Sequence, residues 1–268
     1  VYNGATSFSG SSLTIAGVNS ETFTATGSGT LSSANVQTNQ ALSSVGTLSL
    51  TGVGEASTGN YNTLTTSQTS VSVTAAPITI STSNVSKTYD GALTATGTAT
   101  VTSGTLYTNA SNSNTLDSIS GGSFAFADKN VGSGNKTVTV SSVTVTDGNS
   151  GNNYSVTYAS NTTSTITQLS TINYTGASGG NWSTASNWQD SKIPDLSNVA
   201  TAVIPVNTVV VYDYDHSGNN YSNSTITVNS GSKVQFNNAS SITASNNISG
   251  DGGIEKLAAS TLILSGTN

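Results

Sequence analysis

The sequence predicts an all-β chain of two tandem sandwich modules followed by a β-solenoid-like segment, and three observations lead there. Landmarks recur in order: Val1-Tyr2-Asn3-Gly4-Ala5 returns as Thr88-Tyr89-Asp90-Gly91-Ala92, and Gly59-Asn60-Tyr61 with Val71-Ser72-Val73-Thr74 returns as Asn152-Asn153-Tyr154 with Ser164-Thr165-Ile166-Thr167. Apolar residues alternate with polar ones at a period of two, while Gly, Ser, Thr and Asn interrupt every window long enough for a helix. Beyond Gln168 the pattern changes to short apolar triplets between polar corners.

Each element follows from local chemistry. Leu13-Thr14-Ile15, Leu48-Ser49-Leu50, Val71-Ser72-Val73, Ile78-Thr79-Ile80 and Thr137-Val138-Thr139-Val140 read as strands with one buried face. Val143-Thr144-Val145-Thr146 runs into Asp147-Gly148, a dipeptide suited to a tight turn. Short strands with such turns predict antiparallel sandwiches over residues 1–76 and 77–168. In residues 169–268, Ala202-Val203-Ile204, Val209-Val210-Val211, Ile226-Thr227-Val228, Val234-Gln235-Phe236, Ile242-Thr243-Ala244 and Leu262-Ile263-Leu264 suggest one strand per face of a solenoid. A stack ending at Thr267-Asn268 lacks a cap, and Val1 falls inside a repeat unit, so further chain or another subunit is expected at both ends.

Composition narrows the function classes. Only 7% of residues are charged, with six Lys, no Arg, twelve acids and a net charge of -6. Nucleic acid needs clustered cations and anionic lipid needs a basic patch, so neither is expected as a partner. Absence of Cys excludes disulfides and thiolate metal sites. No apolar run approaches the roughly 20 residues of a membrane span, so no membrane insertion is expected.

Candidate sites are few. Asp213, Asp215 and Ser217, followed by Gly218, place oxygen ligands at alternate positions like the first half of a calcium loop. The twelfth position of that loop is Ser224 rather than the bidentate Glu, and the competing reading is a solvated strand end. Trp182 and Trp188 make either a sugar-stacking platform or an apolar plug, and burial of two indoles favours the plug. His216 is the only histidine, and no nucleophile elbow or zinc motif accompanies it, so no catalytic residues and no cofactor are expected. Tyr2 with Tyr89, and Tyr61 with Tyr154, occupy matched places that suggest packing with hydroxyls tied to backbone. Lys87 and Lys129 lie near Asp90 and Asp128 as candidate ion pairs. Asn84, Asn109, Asn135, Asn161, Asn181 and Asn238 head Asn-x-Ser/Thr triplets that offer glycan acceptors. Thr137 with Thr139 and Thr144 with Thr146 form rows of the kind that bind ice, although Thr is also a good strand former.

The second module carries Lys87-Thr88-Tyr89-Asp90-Gly91, then Phe124-Ala125-Phe126-Ala127-Asp128-Lys129-Asn130-Val131-Gly132, Lys136-Thr137-Val138-Thr139-Val140 and Asn153-Tyr154-Ser155. On these motifs it resembles the YDG domain, an immunoglobulin-like repeat of large bacterial secreted adhesins. The first module is similar but divergent, with Tyr2-Asn3-Gly4 for the triplet and no counterpart of the Ala-Asp-Lys-Asn segment. Residues 169–268 are similar to β-helical stems of filamentous-haemagglutinin and autotransporter passengers, and 250–266 resembles a passenger-associated repeat. The resemblance implies immunoglobulin-like sandwiches, an extracellular place on the bacterial surface, and a stalk or adhesive filament role in cell adhesion. Partners would be neighbouring repeats or subunits of the same fibre, joined by strand addition, with host or matrix glycans as ligands. The alternative is a carbohydrate- or calcium-dependent binding module at the Trp-rich junction, and a polysaccharide-cleaving enzyme is the third reading.

Overall fold

The computed structural model describes residues 1–13, 15–214 and 223–267. It is all-β, about 47% strand, with short 3-10 turns and no α-helix among the described residues. Two compact units comprise the described parts of residues 1–82, 98–123 and 140–159, and of 83–97, 124–139 and 160–268.

In the first unit the predicted alternation becomes short antiparallel ladders. Thr22–Thr26 pairs with Ile15–Ala16 on one side and Ser49–Gly52 on the other. Gln37–Gln40 pairs with Val71–Val73. Ala76–Thr82 lies between Ala99–Ser103, to which it is antiparallel, and Tyr154–Tyr158, to which it is parallel. Ala76, Ile78 and Ile80 point inward and are buried, as the Ile-Thr-Ile spacing predicts.

The expected turn at Asp147-Gly148 is instead a longer loop. Gly148 has φ +70, Ser150 φ +57 and Gly151 φ +82. Asp147 holds the loop, its carboxylate accepting backbone N–H groups from Asn149, Gly151 and Asn153 at 2.8 to 2.9 Å. The strand that follows therefore leaves its predecessor and pairs with Ala76–Thr82.

In the second unit, residues 132–138 pair antiparallel with 161–166, and Asn161–Thr167 runs parallel to Ser86–Thr88. Beyond Gln168 the pairing is parallel. One ladder runs Leu169–Asn173, Val199–Ile204, Thr225–Val228, Ile248–Ser249, and another runs Gly180–Asn181, Val209–Tyr212, Lys233–Phe236, Gly253–Lys256. Register stacks like on like: Ile172, Ala202, Ile226 and Ile248 form one buried row, and Val210 with Val234 and Tyr212 with Phe236 form others. Each row adds apolar area removed from water, worth roughly 25 cal/mol per Å². The corners are polar and satisfied: the Ser224 hydroxyl donates to the Val199 carbonyl at 2.6 Å, and the Asn246 amide donates to the Ser224 carbonyl at 2.6 Å.

Candidate functional site

The repeated Tyr-x-Gly phrase builds the same polar clasp twice, once in each unit. In the first unit the backbone N–H of Tyr2 donates to the Thr74 carbonyl at 2.7 Å, and that of Ala76 donates to the Asn153 carbonyl at 2.9 Å. In the second unit Tyr89 donates to Thr167 at 2.8 Å, and Leu169 to Asn198 at 3.0 Å. The glycine of each phrase sits at positive φ, +78 for Gly4 and +76 for Gly91, where a side chain is strained. At Gly4 a Cβ would also lie 2.1 Å from the Thr108 carbonyl oxygen.

Side chains complete each clasp. The Tyr2 hydroxyl donates to Asp117 at 2.6 Å, and the Tyr89 hydroxyl donates to Asp195 at 3.3 Å and to the Ile193 carbonyl at 3.2 Å. Asn153 accepts from the Val36 N–H at 2.9 Å and donates to Asn35 at 3.0 Å. Asn198 repeats this, accepting from the Val131 N–H at 2.8 Å and donating to Asn130 at 3.0 Å. Both asparagines are fully buried. The first module thus has the counterpart that sequence alone does not reveal: Ala34-Asn35-Val36 stands for Lys129-Asn130-Val131. The tyrosines differ from expectation too, because their hydroxyls reach carboxylates and not backbone alone. Burial, helped by those carboxylates, pushes the Tyr2 and Tyr89 phenols well above their ordinary range.

A second pair of matched tyrosines frames a cleft. Tyr154 accepts from the Tyr107 N–H at 2.8 Å and donates to Asp117 at 2.7 Å. Tyr61 does the same, accepting from the Val18 N–H at 2.9 Å and donating to Glu21. Around Tyr154 the space is filled, and the Tyr2 ring stands edge-on at 5.3 Å. Beside Tyr61 lies an open cleft of about 730 Å³ whose lining includes Ile15, Ala16, Gly17 and Tyr61 to Leu64. Phe23, Leu48 and Leu50 are among its apolar lining residues, and Phe23 packs edge-on to Tyr61 at 5.1 Å.

The residues singled out from sequence fall elsewhere. Trp182 and Trp188 are 0% and 1% exposed, stack edge-on at 4.6 Å, and Trp188 donates its indole N–H to the Trp182 carbonyl at 2.7 Å. Neither ring face is open to a sugar. The Asp213 carboxylate is occupied by Ser183, which donates both its N–H at 2.9 Å and its hydroxyl at 2.5 Å. Asp215, Ser217 and His216 lie outside the described residues, and no cluster of three metal-binding side chains occurs among the described ones. Lys87 pairs with Asp90 at 2.8 Å, but Lys129 pairs with Asp195 at 3.0 Å, and Asp128 is held by Lys136 instead. That Lys136 bond holds the Asp128 carboxyl below its usual range. Asn109 is buried and donates its amide to the Asp147 carbonyl at 2.7 Å, which removes it as a glycan acceptor.

A family profile described as the YDG domain matches residues 74–164, about a third of the chain. No curated protein and no solved structure matches. YDG is a name borne by a DNA-binding domain of eukaryotic epigenetic proteins, of the SRA/SET and ORTH type. On that match four expectations are corrected: membership of a bacterial adhesin array, the adhesive-stalk function with its cell-surface setting, partnership with repeats or fibre subunits, and the exclusion of nucleic acid.

Proposed function

We propose that the chain is a non-catalytic recognition protein whose binding site is the cleft lined by residues 15–17 and 61–64. The observation that carries this reading is the cleft itself: about 730 Å³ with apolar lining from Phe23, Leu48 and Leu50 and polar groups from Ser49, Thr58, Asn62 and Thr63. Ligand sites combine an apolar surface with a few orienting polar groups in this way. The buried ionisable groups described above serve the clasps, which leaves them tied to structure rather than to reaction chemistry. We read residues 1–76 and 77–168 as immunoglobulin-like sandwich modules and 169–268 as a β-solenoid. The duplicated clasp supports the first assignment, and the stacked parallel ladders support the second.

A screen of short peptides, neutral oligosaccharides and duplex oligonucleotides, followed by amide-resolved NMR, tests the reading. Perturbations centred on Phe23, Tyr61 and Leu64 are expected. Binding that perturbs only other regions, or turnover of any ligand, contradicts it.

DNA binding is a second reading, favoured by the YDG match. Electrostatics set its terms: Lys87, Lys129 and Lys136, the lysines of the matched segment, are each ion-paired, and the chain carries -6 overall. Few counterions would be released from phosphates, so recognition would act through hydroxyl and amide contacts to bases. Fluorescence anisotropy with labelled duplexes, bearing ordinary or modified cytosine, at about 50 and 200 mM salt tests it. Binding that changes little between the two salts fits, and no binding removes the reading.

A further inference from the structure

The two parallel ladders of the second unit present different outer faces. On the ladder that contains Lys233–Phe236 and Gly253–Lys256 the outward residues are charged or amide-bearing: Lys233 pairs with Glu255 at 3.5 Å, and Gln235 donates to Glu255 at 2.8 Å. The ladder of Leu169–Asn173, Val199–Ile204, Thr225–Val228 and Ile248–Ser249 is unlike it. Ile172, Ala202, Ile226 and Ile248 point inward, so alternation turns their chain neighbours outward. Thr171, Thr201 and Thr225 align as one outward row. Asn173, Val203, Thr227 and Ser249 align as the next. Neither row holds an acid, a cation or an aromatic ring, and every member keeps part of its surface exposed.

The hydroxyls of this face are not used by the fold. Elsewhere they are: Thr139 donates to the Ala125 carbonyl at 3.2 Å, Thr167 to the Lys87 carbonyl at 3.2 Å, and Ser224 to the Val199 carbonyl at 2.6 Å. The hydroxyls of Thr171, Thr201, Thr225, Thr227 and Ser249 have no protein partner among the described residues. Pairing also runs across these four strands without a register shift. Positions on the face therefore repeat at about 4.8 Å from strand to strand and about 6.7 Å between alternate residues of one strand.

Such a face suits no ionic ligand, since phosphates and carboxylates call for cations. It offers no aromatic ring for a sugar to stack on. Its distinguishing property is periodicity without charge, and the complement of that is a neutral lattice. Each hydroxyl donates one hydrogen bond and accepts two, so it can stand within a lattice of water molecules. The methyl groups of Thr and Val between them leave neighbouring water to bond to other water.

We propose that the outward face of this ladder is an ice-binding surface. It lies in the second unit and is independent of the cleft. Four strands make a small face, and Asn173 and Val203 interrupt its hydroxyl rows, so the activity is retention on ice and inhibition of recrystallisation.

The test uses the full chain. Slow freezing of a dilute solution is expected to enrich the protein in the ice fraction several-fold over an inert globular protein, and the chain is expected to keep ice grains small on annealing. Thr201→Lys with Thr227→Lys should raise the concentration needed for grain inhibition at least tenfold, while Gln235→Lys on the other ladder leaves it unchanged. Circular dichroism of each variant separates loss of the face from loss of the fold. Val203→Thr supplies the missing hydroxyl in register and is expected to lower the concentration needed, which decides the matter if the lysine variant does not fold. Exclusion of the parent chain from ice, equal effects of the lysine substitutions on both ladders, or no gain from V203T overturns the inference.

Discussion

Tyr2 and Tyr89 show how a single hydroxyl closes a contact between residues far apart in the chain. Removing a buried donor leaves its acceptor short of a partner, which costs about 1–3 kcal/mol. Tyr2→Phe and Tyr89→Phe are therefore each expected to lower stability by about that amount in urea titrations at pH 7. Asn198→Ala removes three bonds at once, to Val131, Asn130 and Asp195, and is expected to cost more than either. The phenols also set an alkaline limit. Burial raises Tyr2, Tyr89, Tyr154 and Tyr214, so the folded chain keeps those protons beyond the unfolded value of about 10. Their contribution is whole below that pH and falls as pH rises above it. Stability measured between pH 9 and 11 should drop, and Y2F should lose less over that interval than the parent; a flat profile would contradict the assignment. Asp128 works in the opposite direction, its contribution being lost as pH falls through its lowered value. Half exposed, it is worth no more than about 1 kcal/mol.

At the scale of elements, the two halves of the chain were legible in the sequence to different depths. Ile78-Thr79-Ile80 and Thr137 to Val140 read directly as strands because one face is buried and the period of two survives. The parallel ladders beyond Gln168 follow from triplets such as Ile226-Thr227-Val228, whose buried members stack in register. The clasps were not legible. Tyr2 and Asp117 lie 115 residues apart, Tyr89 and Asp195 lie 106 apart, and no local pattern links such positions. A trace was present in the shared Asn-Val of Asn35-Val36 and Asn130-Val131, hidden because the neighbouring Asp and Lys have no equivalents in the first copy. Tyr61 with Glu21 was equally hidden, since a Glu there stands for an Asp. The stacked rows carry their own prediction: Ile226→Ala, fully buried in its row, should cost about 2–5 kcal/mol in chemical denaturation. Ile254→Ala, 39% exposed on the next ladder, should cost clearly less.

For the whole molecule, the duplicated landmarks have a sharper meaning than repetition. They mark two copies of one clasp, closed by Tyr2 and Asn153 in the first unit and by Tyr89 and Asn198 in the second. Beside these clasps Tyr154–Tyr158 is paired in a ladder while residues 61–64 belong to no strand, so exchange protection should differ between the two segments. Native-state hydrogen exchange of the unliganded protein tests this most directly. The account predicts amides of Ser155 and Thr157, which face Ala76–Thr82, protected at close to the global unfolding free energy, and amides of Asn62 to Leu64 exchanging orders of magnitude faster. Equal protection of the two segments would contradict it.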